Sequence, residues 1–309
     1  LQEENYVQSY PSILALTVQA RNREDRHPKT YQQWNQDGES SSSDQKGEAT
    51  DMNEQTQEKP HLSYSQINTY LTCPLKYKFH YIDALEPAFV SSALSFGGSI
   101  HEAVAAFHQS IMERDSLSVG NMVDIYRQVW ESQSKEQAIR FFNGETEDTL
   151  LTKAKAMLDV YREGHDPSVQ IVGVEEFFEV NLGKRIPPLL GVIDIIEVAS
   201  DGAAIVADLK TAARKYSDQT VQSNLQLTSY SLGAQALGFN GDTRFRLDVL
   251  LKTQNPELIR YESTRNDADR ERFLKLVKSV WQGIRKGVFF PKADWQCGQC
   301  AFAGPCGQW

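Results

Sequence analysis

Cysteine is scarce. The 309 residues hold four, too few for a disulfide scaffold. Long apolar runs are missing too. No stretch approaches the ~18 apolar residues of a membrane span. Mean hydropathy is −0.48, so an integral membrane protein is excluded. The N-terminal residues show no basic segment followed by an apolar core, so no secretory signal is visible and a cytoplasmic location is expected. Leu1 stands where a Met would open a complete chain, and we expect a processed or excised piece of a longer protein. Basic residues are outnumbered: 32 Lys and Arg against 41 Asp and Glu give a net charge of −9. That balance argues against a polycation that coats nucleic acid without selectivity. What is present is 40% hydrophobic residues, enough for one substantial core or two small ones.

The charge is uneven along the chain. Residues 1–60 carry 11 acidic and 6 basic residues, whereas 61–309 carry 30 and 26. Between Asn35 and Pro60 the only apolar residues are Ala49 and Met52, around the run Glu39-Ser40-Ser41-Ser42-Ser43-Asp44. Such a segment cannot bury enough surface to offset its ordering entropy, so 31–60 reads as a disordered polar linker. Ahead of it, Ile13-Leu14-Ala15-Leu16-Thr17-Val18 reads as one short strand. A lone strand has no partner, so 1–30 is expected either to be the tail of a preceding domain or to dock elsewhere. The folded domain is expected over 61–309.

Within that domain, Ser63 or Ser65 is placed to cap a helix through Leu71, and Pro74 to open the next. Ser95 to Glu113 reads as a helix with Ile100, Val104, Phe107 and Ile111 on one face. Helical patterns follow over 119–141 and 147–163. The period then changes to two over 170–182, 188–199 and 203–211. A long helix over 217–237, strands over 243–251 and 257–262, and a helix over 266–286 complete the order. This is an α/β domain around a mixed sheet, with a helical insertion before it.

The strongest chemical signal lies on two consecutive strands. Asp194 sits in Gly191-Val192-Ile193-Asp194-Ile195-Ile196, and Asp208 in Ile205-Val206-Ala207-Asp208-Leu209-Lys210-Thr211. A carboxylate inside an apolar strand is costly unless paired or bound to a metal. The strand period puts Asp208 and Lys210 on one face. Two carboxylates and an ammonium then converge, and hard divalent cations favour the carboxylate oxygens as ligands. Asp-x-Lys alone reads as well as an ion pair at a strand end. His101, after Gly97-Gly98, opens an amphipathic helix, where a packed core histidine is the plain reading. Gln226 and Tyr230, spaced i, i+4, share a helix face.

All four cysteines fall into one pattern: Cys73, then Cys297-x2-Cys300-x5-Cys306. Four thiolates suit a tetrahedral zinc or an iron–sulfur cluster, and the residues alone leave both open.

Taken in order, Gly-x-x-x-His, Gly-x-x-Asp, Asp-x-Lys-Thr and Gln-x-x-x-Tyr resemble the RecB-like branch of the PD-(D/E)xK nuclease superfamily. The resemblance covers about 61–309 and includes Leu62-Ser63-Tyr64-Ser65 and Thr72-Cys73-Pro74-Leu75-Lys76-Tyr77. It implies a restriction-endonuclease-like fold and a DNA nuclease that uses Mg2+ or Mn2+, an exonuclease on ends or single strands in repair or recombination. It implies that His101, Asp194, Asp208 and the Leu209 carbonyl hold the metal. Lys210 would be the catalytic lysine, with Gln226 and Tyr230 completing the site. Where the family often has Glu, Asp208 is one methylene shorter. Glu175 reads as an exposed strand glutamate, with a supporting acid as the other reading. The cysteine spacing resembles the iron–sulfur staple of AddB-type and CRISPR-adaptation nucleases. That implies a [4Fe–4S] cluster tying the two ends of the domain, sheltered by Trp295, Phe302 and Trp309, with Zn2+ as the alternative.

Lys76, Tyr77, Lys78, His80 and Tyr81 form a basic, aromatic stretch that either grips a single strand or belongs to the core. Residues 13–21 resemble the last strand of a UvrD-type helicase, which implies a helicase partner, fused or separate. The competing function is a non-catalytic DNA-binding and docking module. Degenerate relatives lose the Asp-x-Lys residues, and this chain has them.

Overall fold

The computed structural model describes residues 60–309. The strand and linker read over 1–60 lie outside the described residues, save Pro60.

The chain enters on β1 (Leu62–Ser63) and α1 (Tyr64–Thr72), whose first turn is capped by the Ser63 side chain accepting from the Gln66 N–H. Cys73 caps the next helix, α2 (Pro74–Tyr77), through its sulfur, and a π-helical turn over Lys78–Ile82 follows. Then come β2 (Val90–Ser91), α3 (Ser92–Met112), α4 (Val119–Glu136), β3 (Ile139–Arg140) and α5 (Glu147–Glu163). The main sheet is built from β4 (Gln170–Val180), β5 (Leu189–Val198), β6 (Ala204–Ala212), β7 (Thr243–Leu251) and β8 (Leu258–Ser263). Helices α6 (Asp218–Gln222) and α7 (Leu225–Ala236) join β6 to β7, and α8 (Asp267–Arg285) follows β8. A 3-10 turn over Trp295–Gln299 and α9 (Ala303–Cys306) close the chain.

The sheet runs β1-β5-β6-β7-β8, with β4 on the other side of β5. Pairs β4/β5, β5/β6 and β7/β8 are antiparallel, while β1/β5 and β6/β7 are parallel. Helices cover both faces. On one, α3, α4 and α5 pack Phe96, Ile100, Met122, Trp130, Leu158 and Tyr161 against Ile195, Ala207 and Leu209. On the other, α1, α7 and α8 pack Ile67, Leu227, Tyr230, Phe273 and Val277 against Ile193, Val206 and Leu247. Burial of this apolar surface is the main source of stability, at about 25 cal/mol per Å². This is the mixed, helix-flanked sheet expected of a restriction-endonuclease-like fold.

Two expectations are corrected and one open reading is closed. The helix read over 217–237 is broken at Ser223–Asn224. There Asn224 caps α7 by accepting from Leu227 N, and the buried Arg265 donates to the carbonyls of Val221 and Asn224. The helix read to 141 ends at Glu136, because Ile139–Arg140 pair with Val90–Ser91. Tyr77, read as either a base-stacking ring or core, is core: it is 4% exposed and packs on Tyr70, Tyr81 and Phe289.

Candidate active site

The site sits where the sheet forks. The β5/β6 ladder runs from Val198↔Ala204 to Ile195↔Ala207 and stops. At the other end of β5, β1 takes the place beside Leu189 and Leu190. Between these pairings the two strands part, and Asp194 and Asp208 flank the gap. The Leu209 N–H, freed from the ladder, donates instead to Asp194 Oδ2 at 3.0 Å. The strand alternation also slips here. Ile193 and Ile195 would share a face in a regular strand, yet they lie in opposite cores. Opposite the slip, between the pairs Val174↔Ile195 and Glu176↔Ile193, stands Glu175 with a left-handed φ of 53°. A non-glycine residue in that region stores backbone strain, which marks sites of function more often than plain strands.

Helix α7 is pressed onto this fork through Phe178. A Cβ built on Gly191 of β5 would meet the Phe178 ring at 2.5 Å, and one on Gly233 of α7 would meet it at the same distance. Only glycine fits at either place, and the close approach brings Tyr230 over the carboxylates. Its hydroxyl lies 3.2 Å from both Asp194 Oδ1 and Asp208 Oδ1, and it accepts from Gln226 Nε2 at 3.1 Å. One phenolic proton serves one carboxylate at a time. From the other face, α3 brings His101 Nδ1 to 3.3 Å from Asp194 Oδ2. Lys210 Nζ lies 2.7 Å from Asp208 Oδ2, so the shared strand face read from Asp-x-Lys holds.

The two aspartates are pushed in opposite directions. Asp208 is fully buried, and burial lifts its pKa to about 6; the Asp194 charge adds to the rise and Lys210 opposes it. Burial acts the same way on Asp194, but His101, Lys210 and the Leu209 N–H outweigh it and hold the carboxyl at about 2. Burial would lower Lys210, yet Asp208 and Asp194 raise it, so it stands as an ammonium. Adjacent carboxylates with separated pKa values are the usual ground for dividing acid and base roles.

His101, Glu175 and Asp194 each offer a ligand atom, and the three atoms lie within 4.8 Å of one another. Glu175 is therefore not the exposed strand glutamate expected from the sequence. It is half-buried and aimed at the same point as His101 and Asp194. Asp208 stands beside this group, joined to Asp194 through Tyr230, and Leu209 contributes its N–H. A cavity of about 110 Å³ opens onto the site, lined by Tyr64, Glu175, Gly191, Asp194, Gln226 and Tyr230. A larger cavity, about 450 Å³, lies between α6, α7 and α8 and holds none of these groups.

The cysteines gather at the chain ends. Cys73, Cys300 and Cys306 pack on Leu75, Phe79 and Phe302. Burial and then the thiolates of Cys73, Cys300 and Cys297 push the Cys306 thiol up. Backbone N–H groups of Lys76 and Asp294 point at the sulfurs of Cys73 and Cys297. Of the three aromatic residues expected as shelter, only Phe302 is buried; Trp295 and Trp309 are exposed.

No helix among the described residues is long and apolar enough to cross a membrane. No curated protein matches this sequence. Among solved structures, a candidate exonuclease from Eubacterium rectale aligns with a TM-score of 0.49 and 12% identity, over 80% of this chain and 87% of that one. The protein SSO0001 aligns with a TM-score of 0.34 and 14% identity, over 79% and 93%. Residues 61–307 match the profile of the PD-(D/E)XK nuclease superfamily. Profile match and forked-sheet carboxylates agree, and the chain belongs to that superfamily.

Proposed function

We propose that this nuclease acts on DNA, hydrolysing phosphodiester bonds with Mg2+ or Mn2+ as an exonuclease on ends or single strands, in repair or recombination in the cytoplasm. The observation that carries the reading is the convergence of His101, Glu175 and Asp194 beside the Asp208–Lys210 pair. One imidazole nitrogen and carboxylate oxygens suit a hard or borderline divalent cation. His101, Glu175 and Asp194 would hold it, with Asp208 alongside. A cation there would neutralise phosphate charge and acidify a bound water. Lys210, as an ammonium, orients the attacking water and offsets charge on the phosphate. Tyr230, steered by Gln226, fixes the spacing of the two aspartates. The docking-module reading is weaker because Asp208 and Lys210 are both retained and paired. A UvrD-type helicase partner rests on the likeness of residues 13–21 alone.

We further propose a [4Fe–4S] cluster at Cys73, Cys297, Cys300 and Cys306. The reading rests on the spacing Cys73, then Cys297-x2-Cys300-x5-Cys306, and on the packing of Cys73, Cys300 and Cys306 around Leu75, Phe79 and Phe302. A single zinc on the same thiolates is the alternative.

The test is digestion of strands labelled at the 5′ or 3′ end, single and duplex, with Mg2+ or Mn2+. Stepwise loss from an end is expected, and Lys210→Ala should abolish it. Equal cleavage by Lys210→Ala, or none by the parent with either cation, would refute the catalytic reading.

A further inference from the structure

The hydroxyls of two phenols, Tyr64 and Tyr216, have no hydrogen-bond partner among the described residues. Tyr64 is the first residue of α1, and the parallel pairing Ser63↔Leu190 sets it level with the gap in β5. It is half-buried and lines the same cavity as Asp194, Gln226 and Tyr230. Tyr216 comes from the loop after β6. Its ring stacks on Tyr261 with centroids 6.3 Å apart and planes at 21°, and its N–H donates to the Tyr261 hydroxyl at 3.2 Å. The stacking fixes the Tyr216 ring without using its own hydroxyl. Neither the Tyr64 nor the Tyr216 hydroxyl has a hydrogen-bond partner among the described residues. Tyr261 is in register with Leu247 of β7, and Leu247 with Asp208 of β6, so the Tyr216 ring lies on the sheet face that carries Asp208 and Lys210. Burial raises both phenols. Both remain protonated donors at neutral pH.

The surroundings explain why such donors are useful. A phosphodiester carries a negative charge, and this site already holds Asp194, Asp208 and Glu175. Lys210 is committed to Asp208. A neutral hydroxyl binds a phosphate oxygen without a further charge that would compete for those carboxylates. We propose that Tyr64 and Tyr216 form a cradle, with Lys210 between them, for the non-bridging oxygens of the nucleic-acid phosphate at the cleaved position. Tyr64, on the cavity wall, contacts the scissile group, and Tyr216 holds the strand beyond Lys210. This rests on the nuclease reading above and adds to it the residues that grip the substrate.

The test compares the parent with Tyr64→Phe, Tyr216→Phe and the double variant. Each change removes one hydroxyl that the folded protein does not use, so thermal midpoints should match the parent. A hydrogen bond to a charged group is worth enough that single-turnover cleavage by Tyr64→Phe should fall about tenfold or more, and by the double variant further. Mn2+ affinity should stay unchanged. Replacing the contacted non-bridging oxygen by sulfur, in one phosphorothioate diastereomer, should slow the parent more than Tyr64→Phe, because the variant has already lost that bond. Parental rates in Tyr64→Phe, or equal thio effects with both diastereomers, would overturn the cradle. A parent that cleaves nothing would instead overturn the nuclease reading. The cradle would then be judged by anisotropy with labelled oligothymidylate: weaker binding by the double variant sustains it, and equal binding removes it.

Discussion

Replacing Asp208 by Asn should make the metal-free protein more stable at pH 8 while destroying cleavage. The carboxyl is completely buried, and its pKa stands at about 6 against the ordinary 3.8. A raised carboxyl binds more protons folded than unfolded. Its favourable contribution is therefore complete below about pH 4 and is lost as pH rises through about 6. The shift corresponds to at most about 3 kcal/mol, at 1.36 kcal/mol per unit. Asn keeps the shape and removes the titration, so the variant escapes that loss. For a domain of this size each kcal/mol moves the midpoint by roughly 2–4 °C, which sets the gain at up to about 10 °C. The assay is thermal unfolding of parent and Asp208→Asn with chelator, at pH 5 and pH 8, repeated with Mn2+. The expected pattern is a gain at pH 8 that falls to about half at pH 5, and a Mn2+ stabilisation larger in the parent. A variant less stable than the parent at pH 8, or a gain that ignores pH, would refute the argument. It would mean that the Lys210 pair outweighs the cost of burying the charge.

Other outcomes follow from the same geometry. Glu175→Gln should weaken Mn2+ binding by about tenfold or more in calorimetry, while Glu175→Gly should leave the fold as stable or up to about 1 kcal/mol more so, because glycine accepts the left-handed backbone. Unchanged Mn2+ affinity in both would remove Glu175 from the site. Gly233→Ala drives a methyl to 2.5 Å from the Phe178 ring and should cost about 1–3 kcal/mol in urea unfolding, with cleavage reduced as α7 shifts. Anaerobically purified parent protein should be brown with about four irons per chain, and Cys73→Ser should lose the colour and unfold at lower temperature. Colourless parent with one zinc would replace the cluster by zinc. A Cys73→Ser variant as stable as the parent would remove the staple.

Much of the site was legible before any fold was known, because its parts are local. Asp208 and Lys210 are two residues apart on one strand, and Gln226 and Tyr230 are one helical turn apart, so backbone period alone aligns each pair. The helical pattern read over 147–163 matches the observed helix, Glu147–Glu163, whose cap Thr146 is also a local feature. What the sequence could not decide involves partners far apart in the chain. Glu175 looked like any strand glutamate until the β4/β5 register set it opposite Asp194, because register depends on how two strands pair and not on either one. Tyr77 could have stacked a base or filled the core, and only the packing of Phe289, more than two hundred residues later, chose the core. The break at Ser223–Asn224 needed Arg265 from beyond β8 to satisfy two helix-end carbonyls. The raised pKa of Asp208 was likewise absent from its neighbours in sequence. It arises from burial at the fork and the charge of Asp194, and both are consequences of tertiary structure.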